Sequence, residues 1–124
     1  MRHLTVVEDD NDDFDFFTDA VSQVELVEIS RHRDGIGLLA LLRKSRPTDA
    51  IVMDLHLPLQ GGYETLLELK SSTDLYHIPV IILTSSILEE ERCLKAGCLH
   101  YLIKPNSFEE YNLLAQKVFD SLPN

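Results

Sequence analysis

Four places along the chain join an apolar run to a polar group able to do chemistry. "LTVV" leads into Glu8, Asp9 and Asp10, "DAIVM" into Asp54, "IPVIIL" into Thr84 and Ser85, and "HYLI" into Lys104, with Pro105 next. Two or three carboxylates brought within a few ångströms repel, and each holds its proton more tightly unless a cation neutralises the group. A hard divalent ion does this: Mg²⁺ (or Mn²⁺) takes a few carboxylates together with water and phosphate oxygens. In such a site Asp54 is a nucleophile that can take a phosphoryl group covalently. Thr84 offers a hydroxyl and Lys104 an ammonium to the phosphoryl oxygens. Positioning and charge neutralisation are most of what phosphoryl transfer needs.

Each of these residues has a plainer role when taken singly. An Asp at a strand end is commonly a turn or helix cap. Thr84 suits the N-cap of a following helix, and a lone lysine is usually solvated. The acidic run is longer than any site requires, with seven carboxylates between Glu8 and Asp19. Asp12, Asp13, Asp15 and Asp19 are read as residues facing water or favoured near the positive end of a helix. The functional reading rests on the conjunction, and the conjunction requires that the four strand ends converge.

The elements that bring them together are legible in the apolar pattern. Strands are expected at 4–7, 25–30, 49–54, 78–86 and 100–104. The runs within 50–53 and 80–83 are wholly apolar and fit the centre of a sheet covered on both faces, whereas 25–30 alternates and fits an edge. A first helix, capped by Asn11 or Asp12, carries Phe17, Ala20, Val21 and Val24 at i, i+3, i+4, i+7. "DGIGLLALLRKSR" is a second helix, closed by Pro47. "GGYETLLELKSS" is a third, with Tyr63, Leu66 and Leu67 on one face. "ILEEERCLKAG" is a fourth, stopped by Gly97. A last helix has Phe108, Tyr111, Leu114, Ala115, Val118 and Leu122 in one stripe. Alternating strands and helices predict an α/β, doubly wound (βα)5 flavodoxin-like fold around a five-stranded parallel sheet. With strand order 2-1-3-4-5 the acids, Asp54, Thr84 and Lys104 meet beyond the carboxyl ends of the strands, where ligands bind in open sheets.

Composition narrows the function classes. The 124 residues are 44% apolar and 26% charged, which is one globular domain, residues 1–124. A net charge of −10 opposes binding to nucleic acid or to anionic membranes. No apolar run is long enough to span a bilayer and no signal peptide is evident, so a cytoplasmic protein is expected. Cys93 and Cys98 lack CxxC spacing and are read as reduced thiols. The five histidines form no ligand pair.

The motifs "VVEDD", "MDLHLPLQGG", "PVIILTSS" and "YLIKP", in this order and spacing, resemble the receiver domain of two-component response regulators. The likeness covers essentially the whole chain and is nearest the stand-alone, chemotaxis-regulator type. It implies that Asp54 is the phosphoacceptor and that Glu8, Asp9, Asp54 and the backbone carbonyl of His56 hold Mg²⁺, with Asp10 pointing away. It also implies that Thr84 is the switch hydroxyl, that Lys104 is the phosphoryl-binding lysine before a cis Pro105, and that Tyr101 is the aromatic switch residue. The partners implied are a sensor histidine kinase or phosphotransfer protein and a downstream protein target, with the chain itself a monomer or weak homodimer and not an enzyme with a separate substrate. Gly61 departs from the family, standing where an Asp is common, while Gly62 keeps the turn glycine. His56 and Ser86 occupy positions flanking the phosphoryl group, His56 being read as a rim residue.

With no output module following, phosphorylation is expected to act by docking or by onward phosphotransfer. The fourth helix has a poor apolar stripe and is expected to be the least firmly docked. Tyr111, Phe119 and Leu122 fit either the core or a dimer contact. Three alternatives remain at this stage. A degenerate receiver acting as a phosphorylation-independent interaction module would lack part of the residue set. A phosphatase-type enzyme with an aspartyl-phosphate intermediate would carry a second acid where His56 stands. A flavin- or nucleotide-binding domain would carry a Gly- or Ser/Thr-rich loop where "EDDNDDFD" stands.

Overall fold

The computed structural model describes residues 1–123. Ten elements alternate along the chain: β1 (Arg2–Val7), α1 (Asn11–Val24), β2 (Val27–His32), α2 (Leu38–Lys44), β3 (Ala50–Met53), α3 (Gly62–Lys70), β4 (Val80–Thr84), α4 (Glu90–Ala96), β5 (His100–Ile103) and α5 (Phe108–Asp120). The strands form one sheet in the order β2-β1-β3-β4-β5, and every pairing is parallel. This is the doubly wound fold expected from the sequence.

Period-two alternation divides the central strands between two cores. Leu4, Val6, Ala50, Val52, Ile81 and Leu83 pack beneath α1 and α5. Val7, Ile51, Met53, Val80 and Ile82 face the other way, onto Leu38, Leu66, Leu69 and Cys93 of α2, α3 and α4. β3 and β4 are buried at every position, while β2 is half-exposed at the edge.

Several local expectations are corrected. Asp10, not Asn11 or Asp12, caps α1, its carboxylate accepting from the Asp13 amide at 2.8 Å. α2 begins four residues later than "DGIG" because Gly37 is left-handed at φ 73° and Gly35 is in a turn. On α3, Leu69 is buried and Leu67 exposed, since 3.6-residue periodicity carries the inward face from Leu66 to Leu69. Phe108 stands outside the α5 stripe at 73% exposure: it is the first residue of the helix, edge-on to the half-exposed Phe16 with ring centroids 5.7 Å apart. Tyr111, Phe119 and Leu122 are core residues. No peptide bond among the described residues is cis, so Lys104–Pro105 is trans, the form favoured by about 0.5–1 kcal/mol even before proline. α4 does bury little: Cys93 is its one fully buried side chain among seven residues.

Candidate functional site

Backbone pairing sets the strand ends side by side. The Asp54 amide donates to the Val7 carbonyl at 3.1 Å, the Lys104 amide to the Thr84 carbonyl at 2.9 Å, and the Glu8 amide to the His32 carbonyl at 2.9 Å. Gly62 closes the loop after β3 from below, its amide donating to the Leu55 carbonyl at 3.0 Å.

The side chains then converge. Lys104 Nζ lies 2.9 Å from Asp54 Oδ2, 2.8 Å from Glu8 Oε1 and 2.7 Å from Asp13 Oδ2. Asp54 Oδ1 accepts from the amides of Leu55 at 2.7 Å and His56 at 3.3 Å. Both oxygens of this buried carboxylate are therefore oriented. Glu8 Oε2 accepts from the Asp10 amide at 3.2 Å. Burial would push the Lys104 ammonium toward losing its proton, but hydrogen bonds to Asp13, Asp54 and Glu8 outweigh it, and the lysine is held above its ordinary range. Burial pushes the Glu8 carboxyl up, against the pull of Lys104 and the Asp10 amide.

Glu8, Asp9 and Asp54 each present a carboxylate oxygen, the three lying within 4.8 Å of one another. Glu8 and Asp54 are buried and Asp9 is exposed. These hard oxygen donors, open to solvent on the Asp9 side, fit Mg²⁺ or Mn²⁺, which keep several waters.

Thr84 is fully buried, and its Oγ1 accepts from the Ser86 amide at 3.4 Å. The Tyr101 hydroxyl donates to the Ser86 carbonyl at 2.6 Å. Thr84 and Tyr101 thus meet at the backbone of one residue of the β4–α4 loop, Thr84 at the Ser86 amide and Tyr101 at its carbonyl. Ser85 is exposed and Pro105 half-buried. Asp10, the α1 cap, is exposed. The His56 side chain lies at the rim, its Nε2 3.4 Å from Glu89 Oε2 at the start of α4. Glu89 in turn pairs with Arg92, whose guanidinium lies 3.8 Å over the Tyr63 ring.

Asp13 is the main residue that sequence reasoning placed wrongly. Read as a solvated helix acid, it is a direct partner of Lys104. The signal was present: Asp13 stands four residues before the buried Phe17, on the same helix face. Leu59 is a second finding. It is 82% exposed and left-handed at φ 64°, a conformation that costs a branched L-residue about 1 kcal/mol. Leu59→Asn, which tolerates that region, is expected to raise stability by about 0.5–1 kcal/mol in urea unfolding; a loss of stability would mean that the leucine has packing partners in solution.

Comparison with known proteins agrees with the fold. The response regulator receiver domain profile matches residues 4–116. The polar-differentiation response regulator DivK of Brucella anthropi is 36% identical over 112 residues, covering 89% of each chain. Among solved structures, the phosphorylated cyanobacterial phytochrome response regulator RcpA superposes with a TM-score of 0.88 at 26% identity, covering 99% of both chains. The Mn²⁺-bound form of response regulator Rcp1 superposes with a TM-score of 0.86 at 26% identity, covering 100% of both chains.

Proposed function

The chain belongs to the response regulator receiver domain family, and from that premise we propose that it is a phosphorylation switch with Asp54 as phosphoacceptor, residues 1–124 forming one receiver domain. The observation that carries the reading is the buried Asp54 carboxylate, held by two amides on one oxygen and by Lys104 on the other, with Glu8 and Asp9 beside it. The donor is a phosphohistidine of a sensor kinase or phosphotransfer protein. An Asp54 carboxylate oxygen attacks phosphorus, the P–N bond breaks, and its electron pair returns to the imidazole.

Glu8, Asp9, Asp54 and the His56 carbonyl would hold Mg²⁺ or Mn²⁺; the Mn²⁺-bound neighbour supports this assignment. When bound, the ion supplies positive charge against the phosphoryl oxygens. The chain's own residues do the rest. The Leu55 and His56 amides aim the Asp54 carboxylate. Lys104 exchanges a carboxylate contact for a phosphoryl oxygen, and Thr84 turns its hydroxyl to another. Because Thr84 and Tyr101 hold the amide and the carbonyl of the same residue, Ser86, movement of Thr84 releases Tyr101 inward and shifts the loosely docked α4 with β5 and α5. The output is docking on a downstream protein or onward phosphotransfer, in the cytoplasm, from a monomer or weak homodimer. No described helix is long and apolar enough to cross a membrane.

Incubation with Mg²⁺ and acetyl phosphate is expected to add one phosphoryl group by intact mass. EDTA and Asp54→Asn should each abolish the addition. An adduct that persists in Asp54→Asn, or none on the wild type, would overturn the assignment.

A further inference from the structure

The edge strand β2 contributes no acid to the site, but Arg31 near its end and Arg33 just beyond it turn toward the acidic loop. Arg31 donates from Nε at 3.2 Å and from Nη2 at 3.1 Å to the Glu8 carbonyl oxygen. Its guanidinium lies 4.3 Å from the centroid of the Phe14 ring on α1. Arg33 donates from Nη1 to the Asp9 carbonyl at 3.3 Å and from Nη2 to Asn11 Oδ1 at 3.1 Å. Both guanidinium groups bond backbone carbonyls of the acids and neither bonds a carboxylate of Glu8 or Asp9. That choice matters, since an arginine paired to the carboxylates would take the place of a cation.

We propose that Arg31, supported by Arg33, is a positioning residue for the cation site. Arg31 fixes the Glu8 carbonyl from β2 and Arg33 the Asp9 carbonyl from the residue just beyond it, so that the two carboxylates converge with that of Asp54. The inference rests on the reading that these acids hold a divalent ion.

Two effects of Arg31 oppose each other. Its positive charge, near the site, weakens cation binding by repulsion. Its grip on the loop strengthens binding, because three carboxylates within 4.8 Å repel and an unrestrained Asp9, which is exposed, swings away. The contact geometry decides for the grip. A planar guanidinium fixed by a two-donor fork and an aromatic face is far better localised than an ammonium. Its charge lies on the far side of a carbonyl and is half-exposed, hence screened.

The test is the Mn²⁺ dissociation constant at neutral pH, read by electron paramagnetic resonance of free Mn²⁺, together with the thermal midpoint, for wild type, Arg31→Met and Arg31→Lys. Arg31→Met is expected to weaken Mn²⁺ about 10-fold, at the low end of what loss of an outer contact costs a metal site. Arg31→Lys, which keeps the repelling charge but loses the fork, should bind Mn²⁺ no more tightly than Arg31→Met. Tighter binding in Arg31→Met with Arg31→Lys unchanged would reduce the residue to a charge and overturn the proposal. So would a lowered midpoint with an unchanged dissociation constant, which is the signature of a strand staple alone. Failure of the wild type to bind Mn²⁺ at a single site lost in Asp54→Asn would overturn the cation reading itself, and this inference with it.

Discussion

Lys104→Met is expected to lower the unfolding free energy in EDTA at neutral pH by about 3–5 kcal/mol, the range for removing one partner from a buried ion pair. The lysine side chain is 9% exposed, and it is the cation between Glu8 at 7% and Asp54 at 8%. Methionine fills a similar volume, so the loss is electrostatic and not a cavity. Two buried carboxylates then face Asp9 and each other without compensation. The same change should tighten Mn²⁺ binding, because the competing ammonium is gone, so that added Mn²⁺ restores much of the lost stability. An effect below about 1 kcal/mol in EDTA would mean that the acids are already hydrated, as in exposed pairs.

The pH dependence has a definite sign. Lys104 is held above the ordinary lysine value of 10.5. It therefore contributes stability that is whole below 10.5 and lost as pH rises through its value in the fold. Glu8 is raised above 4.5, so its contribution is whole below 4.5 and lost as pH rises through its folded value. Removal of Lys104 raises Glu8 further. The penalty in Lys104→Met should accordingly shrink as the solution is acidified toward the upper carboxylate range, where Glu8 becomes neutral. Urea midpoints across that window check it.

The part of the site written in the sequence is the part fixed by strand ends. Apolar runs at β3 and β4 leave little doubt about which residues end them, and parallel order then brings Asp54, Thr84 and Lys104 together. What escaped depends on rotation about helices and on side-chain reach. Asp13 meets Lys104 across 91 positions of sequence, and which acid of α1 turns inward follows from a helical face that composition alone does not weight. Arg31 and Arg33 reach across from an edge strand to backbone carbonyls, which leave no residue-type signature at all. Phe108 matched the α5 period yet lies outside the core, because periodicity gives a direction and not whether the first turn of a helix has anything packed against it.

Gly62→Ala is expected to destabilise the fold by about 2–3 kcal/mol and to slow phosphorylation of Asp54, although alanine is the better helix former by about 1 kcal/mol. Gly62 opens α3, and a Cβ there would stand 2.1 Å from the Asp54 carbonyl oxygen, 2.8 Å from Leu55 Cα and 3.0 Å from the Asp54 carbonyl carbon. All three are backbone atoms at the end of a buried central strand, so no rotamer change can relieve the overlap. Either α3 withdraws from the sheet or the Asp54 peptide tilts, and the second turns the carboxylate away from the Leu55 and His56 amides. Gly61 supplies the control. A Cβ at that position meets first Glu64 Oε2 at 3.1 Å, the end of a flexible side chain, and then the Leu55 carbonyl at 3.4 Å. Gly61→Ala should therefore stay within about 0.5 kcal/mol of wild type, as surface substitutions do. If urea unfolding gave the two variants equal stability, the close approach of α3 to the Asp54 backbone would be wrong, and with it the account of how that carboxylate is aimed.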